Sequence, residues 1–262
     1  MAGDTTLPAE TGSRRHQLRA LAIPLALVAG WLVLIDSGWF QSPLLVPLGQ
    51  IVSAPFVDPD GRQIWAAIGA SLLRVATGFA IGTTLGIALG VVLGLSRPWQ
   101  QAVSPTVHTL RQIALFAWIP LLTSWFGNGE TAKIVFISLS AFFPAFLNTE
   151  QGVRGIPPAL REVAYALRLP PAKRIVKLIL PAALPAILVG VEIALLTAWI
   201  GTVGSEYAIG IGRGIGAFLV AARESFRMDL VLLGVIALAL IGYGFSRLSR
   251  HLYNRLITWQ IR

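Results

Sequence analysis

The chain contains no cysteine, which removes disulfides, thiolate metal sites and cysteine nucleophiles at once. Its three histidines, His16, His108 and His251, are too scattered to give a metal-ligand spacing. Charge is also scarce: Asp, Glu, Lys and Arg supply 13% of the residues against 55% apolar ones, and the mean hydropathy is +0.71. So little polar material cannot clothe a water-facing surface, and the chain belongs in a bilayer. Lysine is rare too: Lys133, Lys173 and Lys177 are followed by Ile, Arg and Leu, so the Gly-Lys-Ser/Thr of a phosphate-binding loop is missing. The chain cannot be its own P-loop ATPase.

What is present is a series of apolar runs. A spanning helix needs roughly 20 apolar residues, so 262 residues leave room for about six. Residues 20–35 follow Arg14, Arg15 and Arg19 as a signal peptide would, but Asp36-Ser37-Gly38-Trp39 is not a small-x-small cleavage site. They read as an uncleaved first helix behind a tail, 1–19. Residues 75–95, 112–128, 134–149 and 230–246 carry no charge, and 178–205 carries only Glu192, which completes six helices. The expected fold is an all-α, polytopic bundle occupying 20–262.

The net charge of +9 fits this topology when sorted by side. With the N-terminus inside, the cytoplasmic segments hold Arg14, Arg15, Arg19, Arg97, Arg111, Arg154, Arg161, Arg168, Lys173, Arg174, Lys177, Arg247, Arg250, Arg255 and Arg262, fifteen of the 21 basic residues. The outer segments keep Arg62, Arg74, Lys133, Arg213, Arg223 and Arg227, opposed by seven acids. Both termini are therefore expected in the cytoplasm. Basic residues spread over four loops do not make a nucleic-acid surface.

Within the spans, Gly78, Gly82, Gly86, Gly90 and Gly94 recur every fourth residue and line one helix face. Such a stripe admits a second backbone at close range, either as static packing or as a track along which helices rock. Arg74 and Glu192 are the charges nearest the membrane interior, where an unpaired one costs at least about 2.5 kcal/mol. Arg74, at the outer start of its span, can snorkel; Glu192, deeper, needs a helix-helix hydrogen bond or a place on a pathway. Residues 201–216 hold six glycines with Glu206 and Arg213, an irregular stretch tolerated at depth only where it faces protein or water, and so a candidate gate.

The connection between helices four and five, 150–181, is the most informative. Pro157-Pro158 and Pro170-Pro171 bracket about three helical turns. There Leu160, Val163, Ala164, Ala166 and Leu167 form an apolar stripe while Arg161, Glu162 and Arg168 stay polar. By periodicity alone this is also an interfacial membrane helix. Residue identity adds more. Glu162-Val163-Ala164, three residues, Arg168, nine residues, then Leu178-Ile179-Leu180-Pro181 resembles the cytoplasmic EAA loop of binding-protein-dependent ABC importer permeases, whose pattern is E-A-A-x3-G-x9-I-x-L-P. Val163 and Leu178 depart mildly from it. Arg168 departs sharply, standing where the family has a glycine suited to a left-handed turn.

Other stretches are similar to the aliphatic sulfonate, taurine and nitrate branch of that family: Ser71-Leu-Leu-Arg74-Val75, Leu110-Arg-Gln-Ile113, Ile119-Pro-Leu-Leu122, Trp125-Phe-Gly-x-Gly-Glu130-Thr131, then 141–148, 221–224 and Arg227-x-Asp229. The resemblance spans about 65–260. It implies a type I ABC importer permease fold in a bacterial inner membrane and a homodimer of this subunit. It also implies two copies of a separate ATPase that uses ATP and Mg, and a soluble substrate-binding protein; no catalytic residue, metal or cofactor falls to this chain. By the same resemblance Glu162, Val163, Ala164, Leu167, Arg168, Leu169, Leu180 and Pro181 couple to the ATPase. The cargo would be a small anion. An ion-gradient-driven secondary transporter is the competing reading, and it leaves the EAA-like loop unexplained.

Overall fold

The computed structural model describes residues 46–256 except Leu169, with isolated positions 26, 29, 30, 32 and 33; the side chains of 161, 163–165, 252, 254 and 256 lie outside that description. The tail 1–19 and nearly all of the first expected span, 20–35, fall outside it. The chain divides into two units, Met1–Ser53 and Ala54–Arg262, and the bundle below is the second. Among the described residues, helix is the only regular structure. In chain order the helices are α1 (Leu48–Val57), α2 (Gln63–Leu95), α3 (Arg97–Gln112), α4 (Ile119–Phe126), α5 (Glu130–Arg154), α6 (Pro158–Ala166), α7 (Pro171–Ile209), α8 (Ile215–Glu224) and α9 (Met228–Leu256). A 3-10 turn at Leu115–Trp118 leads into α4.

Among the described residues four helices, α2, α5, α7 and α9, are long and apolar enough to cross a bilayer. Their relative directions follow from the contacts. A Cβ at Gly78 would meet Ile137, one at Gly86 would lie 2.6 Å from the Phe142 oxygen, and one at Gly94 2.7 Å from Val153. Both helices therefore advance in the same direction, and the glycine stripe faces α5 of the same chain, with Ala141 and Ala145 opposite. Only backbones without side chains approach so closely. α7 runs against α5: Gly190 packs on Asn148 and Pro144, and Gly201 on Ser140. Trp199 of α7 meets Phe245 and Gly242 of α9, which closes the bundle.

Since α2 and α5 are parallel, the chain between them must recross the bundle, yet not as the uncharged helix expected at 112–128. Ser104 hydrogen-bonds Glu150, the His108 ring lies against Phe146, and the Phe116 ring lies against Phe136. The whole of 97–126 thus climbs α5 in reverse, broken at Ile113 and Ala114, whose ψ angles of 125° and 127° are extended. The leg begins fifteen residues before the apolar window does.

Two prolines are accommodated locally. Pro144 inside α5 cannot donate to the Ser140 carbonyl, and the Thr197 hydroxyl of α7 donates to it instead at 2.9 Å. Pro181 crowds the Lys177 carbonyl four residues earlier, and there the helix widens into a π segment, Ile175–Ile179.

Candidate functional site: a charge cluster and a basic segment at opposite ends of the bundle

Arg74 does not snorkel. α2 begins at Gln63, so Arg74 sits three turns inside it with its side chain 7% exposed. Its Nε and Nη2 donate to both oxygens of Glu130, at the first turn of α5, at 2.5 and 2.6 Å, and its Nη1 donates to Glu206 of α7 at 2.5 Å. Glu206 is fully buried and also accepts from the Ser71 hydroxyl at 2.8 Å and the Gly216 amide at 3.0 Å. The Ser71 oxygen in turn accepts from the Ile215 amide at 3.0 Å. Lys133, likewise fully buried, donates to the Ile211 carbonyl and lies 3.8 Å from Glu130. Two cations and two carboxylates neutralise one another, which is how charge survives at such burial.

The glycine-rich stretch belongs to this cluster. Any Cβ at Gly214 would collide with the Glu206 carboxylate, and one at Gly216 would lie 2.6 Å from the Val203 oxygen. Gly210 and Gly212 take positive φ of 68° and 89°, which turn the chain over the end of α7 toward α8. Arg213 does not join the ion pairs. It is exposed and lines a cavity of about 460 Å³ with Gln63, Gly210, Gly212 and Gly214. Of the four gate candidates, then, Arg74 and Glu206 are in contact, Arg213 lies beside them, and Glu192 is elsewhere. Half-buried Glu192 lines an apolar cavity of about 380 Å³ with Val75, Phe79, Leu188 and Phe245.

Glu130 and Lys133 are not legible as site residues in the sequence; the only signal there is that two acids and a lysine stand at span ends with Arg74. At the same end Arg227, next to the strained Phe226 (φ 55°), holds Asp58 at 2.5 Å and Asp229 at 2.6 Å. The Arg227 guanidinium keeps the Asp58 carboxyl below its usual range.

The opposite end is basic. It carries Arg97, Arg154, α6 with Glu162, then Arg168, Lys173, Arg174 and Lys177, and finally Arg247, Arg250 and Arg255. Arg111, expected with them, is not there: it lies between His108 and the helix break, partway up α5. Glu162, Leu167, Arg168, Leu180 and Pro181 are all exposed, Leu167 at 66%. The side chains of Val163 and Ala164, and all of Leu169, lie outside the description. Arg168 has φ 47°, the left-handed conformation that the family's glycine would suit. Glu150, 2% exposed, binds Ser104 at 2.7 Å and lies 3.4 Å from His108, tying α3 to α5 at this end.

A family model described as "Binding-protein-dependent transport system inner membrane component" matches residues 82–258. An aliphatic sulfonates transport permease protein, SsuC, of Bacillus subtilis is 33% identical, over 95% of this chain and 90% of its own length. The taurine transport system permease protein TauC of Escherichia coli is 31% identical, over 94% of each chain. A crystal structure of the MetNI methionine ABC transporter, inward facing, shares the fold with a TM-score of 0.67 at 20% identity, covering 77% of this chain and 99% of that one. The chain belongs to the inner membrane components of binding-protein-dependent transport systems, the permeases of ABC importers, in the branch that holds the sulfonate, taurine and nitrate permeases.

Proposed function

We propose that this chain is the pathway-forming subunit of an ATP-driven importer for a small anion such as an aliphatic sulfonate, taurine or nitrate. It works as a homodimer, with two copies of a separate ATPase bound at its basic, cytoplasmic end. ATP and Mg are handled by that partner, and a soluble binding protein delivers cargo at the Glu130 end. The observation that carries this reading is the segment from α6 to Pro181. It is basic, it exposes Leu160, Leu167 and Val176 as well as Glu162, and it includes the first turns of α7. Exposed apolar side chains rimmed by charge mark a protein interface. The anion rests on the names of the relatives, with support from Arg213 at the cavity mouth.

The test is co-purification with the neighbouring ATPase and uptake by vesicles. The native chain should retain the ATPase and import an aliphatic sulfonate or nitrate only with ATP; Glu162→Lys, a charge reversal on the exposed helix, should lose at least about tenfold in uptake, or about 1.4 kcal/mol of coupling. Uptake that runs on an ion gradient without ATP, or a native chain that binds no ATPase, overturns the reading.

A further inference from the structure

Arg111 stands where a bilayer tolerates charge least. His108 lies against Phe146, and Phe116 lies against Phe136, so the residues between them face the middle of α5, a helix running from Glu130 to Arg154. Immediately after Arg111 the helix stops, and Ile113 and Ala114 are extended before the 3-10 turn resumes. Arg111, Gln112, Ile113 and Ala114 are all exposed on the surface of the bundle, and Arg111 has no hydrogen-bond or ion-pair partner among the described residues.

Two constraints act on this one spot. A guanidinium at mid-depth cannot face hydrocarbon at tolerable cost, and it is too far from either end of α5 to snorkel. Irregular backbone at the same depth survives only against protein or a water-filled cavity. Nothing among the described residues covers the segment, and water together with a second protein surface would satisfy both constraints. The buried cations Arg74 and Lys133 are already neutralised by Glu130 and Glu206, whereas Arg111 has no such partner among the described residues.

We infer that Arg111, together with the exposed backbone of the break at Ile113 and Ala114, forms a mid-membrane station for one oxyanion in a water-filled path completed by a second copy of this chain. The inference rests on the proposed import of a small anion and names the residue that would hold it midway. A guanidinium is suited to this because it stays charged and offers paired donors to two oxygens of a sulfonate, carboxylate or nitrate.

The chain's lack of cysteine provides the test. Ala114→Cys, and Gln112→Cys as a second variant, place a single thiol beside Arg111 in the complete transporter in membrane vesicles. The thiol is challenged with sulfonatoethyl and trimethylammonioethyl methanethiosulfonate, two hydrophilic reagents of opposite charge, with and without ATP and Mg. Labelling of this chain is read as a mass shift.

The expected result is reaction in at least one nucleotide state. Relative to the reagents' ratio on a free thiol, the anion should be favoured by about tenfold, the scale of one nearby charge in a partly hydrated site. Arg111→Gln should abolish the preference and Arg111→Lys should restore it. Failure of both thiols to react in every state, or a preference unchanged by Arg111→Gln, overturns the inference. Labelling does not depend on cargo or on ATP-driven uptake, so a failure of the Glu162 experiment would be seen separately.

Discussion

Arg168 shows how much of a motif is backbone. α6 ends at Ala166, and Arg168 turns the chain at φ 47° toward Pro170, which begins the approach to α7. A side chain in that conformation costs about 1–2 kcal/mol, from which glycine is exempt. The exposed Arg168 has no partner among the described residues to offset the cost. Arg168→Gly should therefore stabilise the end of α6 by about 1 kcal/mol, slowing amide hydrogen exchange across it roughly fivefold. Unchanged or faster exchange would show that the turn is not strained. The spacing of the motif makes this position legible in the sequence alone, because a local turn leaves a local residue signature. Arg74 is the opposite case. Its charge ends the apolar window, so hydropathy starts the span at 75, whereas the helix starts at Gln63. What lets the helix continue through the charge is pairing with Glu130 and Glu206, 56 and 132 residues away, and no local pattern carries that.

At the scale of elements, the long apolar helices are readable because hydropathy and length alone set them. The leg at 97–126 is not: α3 is rich in polar residues such as Gln100, Gln101, Ser104, His108 and Arg111. It crosses because Glu150 and Phe146 of α5 receive Ser104 and His108, and Phe136 receives Phe116 beyond the break. The glycine stripe likewise announces its face but not its neighbour, since any apolar helix could fill that role. Pro144 shows what neighbours do once chosen. The carbonyl that it frees on Ser140 is taken by Thr197 of α7. Thr197→Val should cost about 1 kcal/mol through the unpaired carbonyl. In Pro144→Ala the restored amide can satisfy that carbonyl itself, so adding Thr197→Val should then cost clearly less. Thermal unfolding of the four purified proteins measures the cycle, and strict additivity would mean that Thr197 contributes nothing through Ser140.

At the scale of the whole molecule, α7 connects the two ends. Its 39 residues begin beside the exposed basic segment and end with Glu206 in the charge cluster, a rod about 58 Å long at 1.5 Å per residue. At its far end the Glu206 carboxylate pins α2, through Ser71 and Arg74, to the glycine turn before α8. In such a cluster each buried charge is tolerable only while its partner is present. Removing one partner should thus damage more than removing two. Arg74→Gln leaves Glu206 buried with its charge uncompensated and should destabilise the chain by about 3–5 kcal/mol. Arg74→Gln combined with Glu206→Gln removes both charges of the pair and should recover part of that loss. Melting temperature and detergent-soluble yield of the two variants and the native chain measure the difference. If Arg74→Gln alone melts with the native protein, the cluster does not hold α2, α5 and α7 together at this end of the bundle.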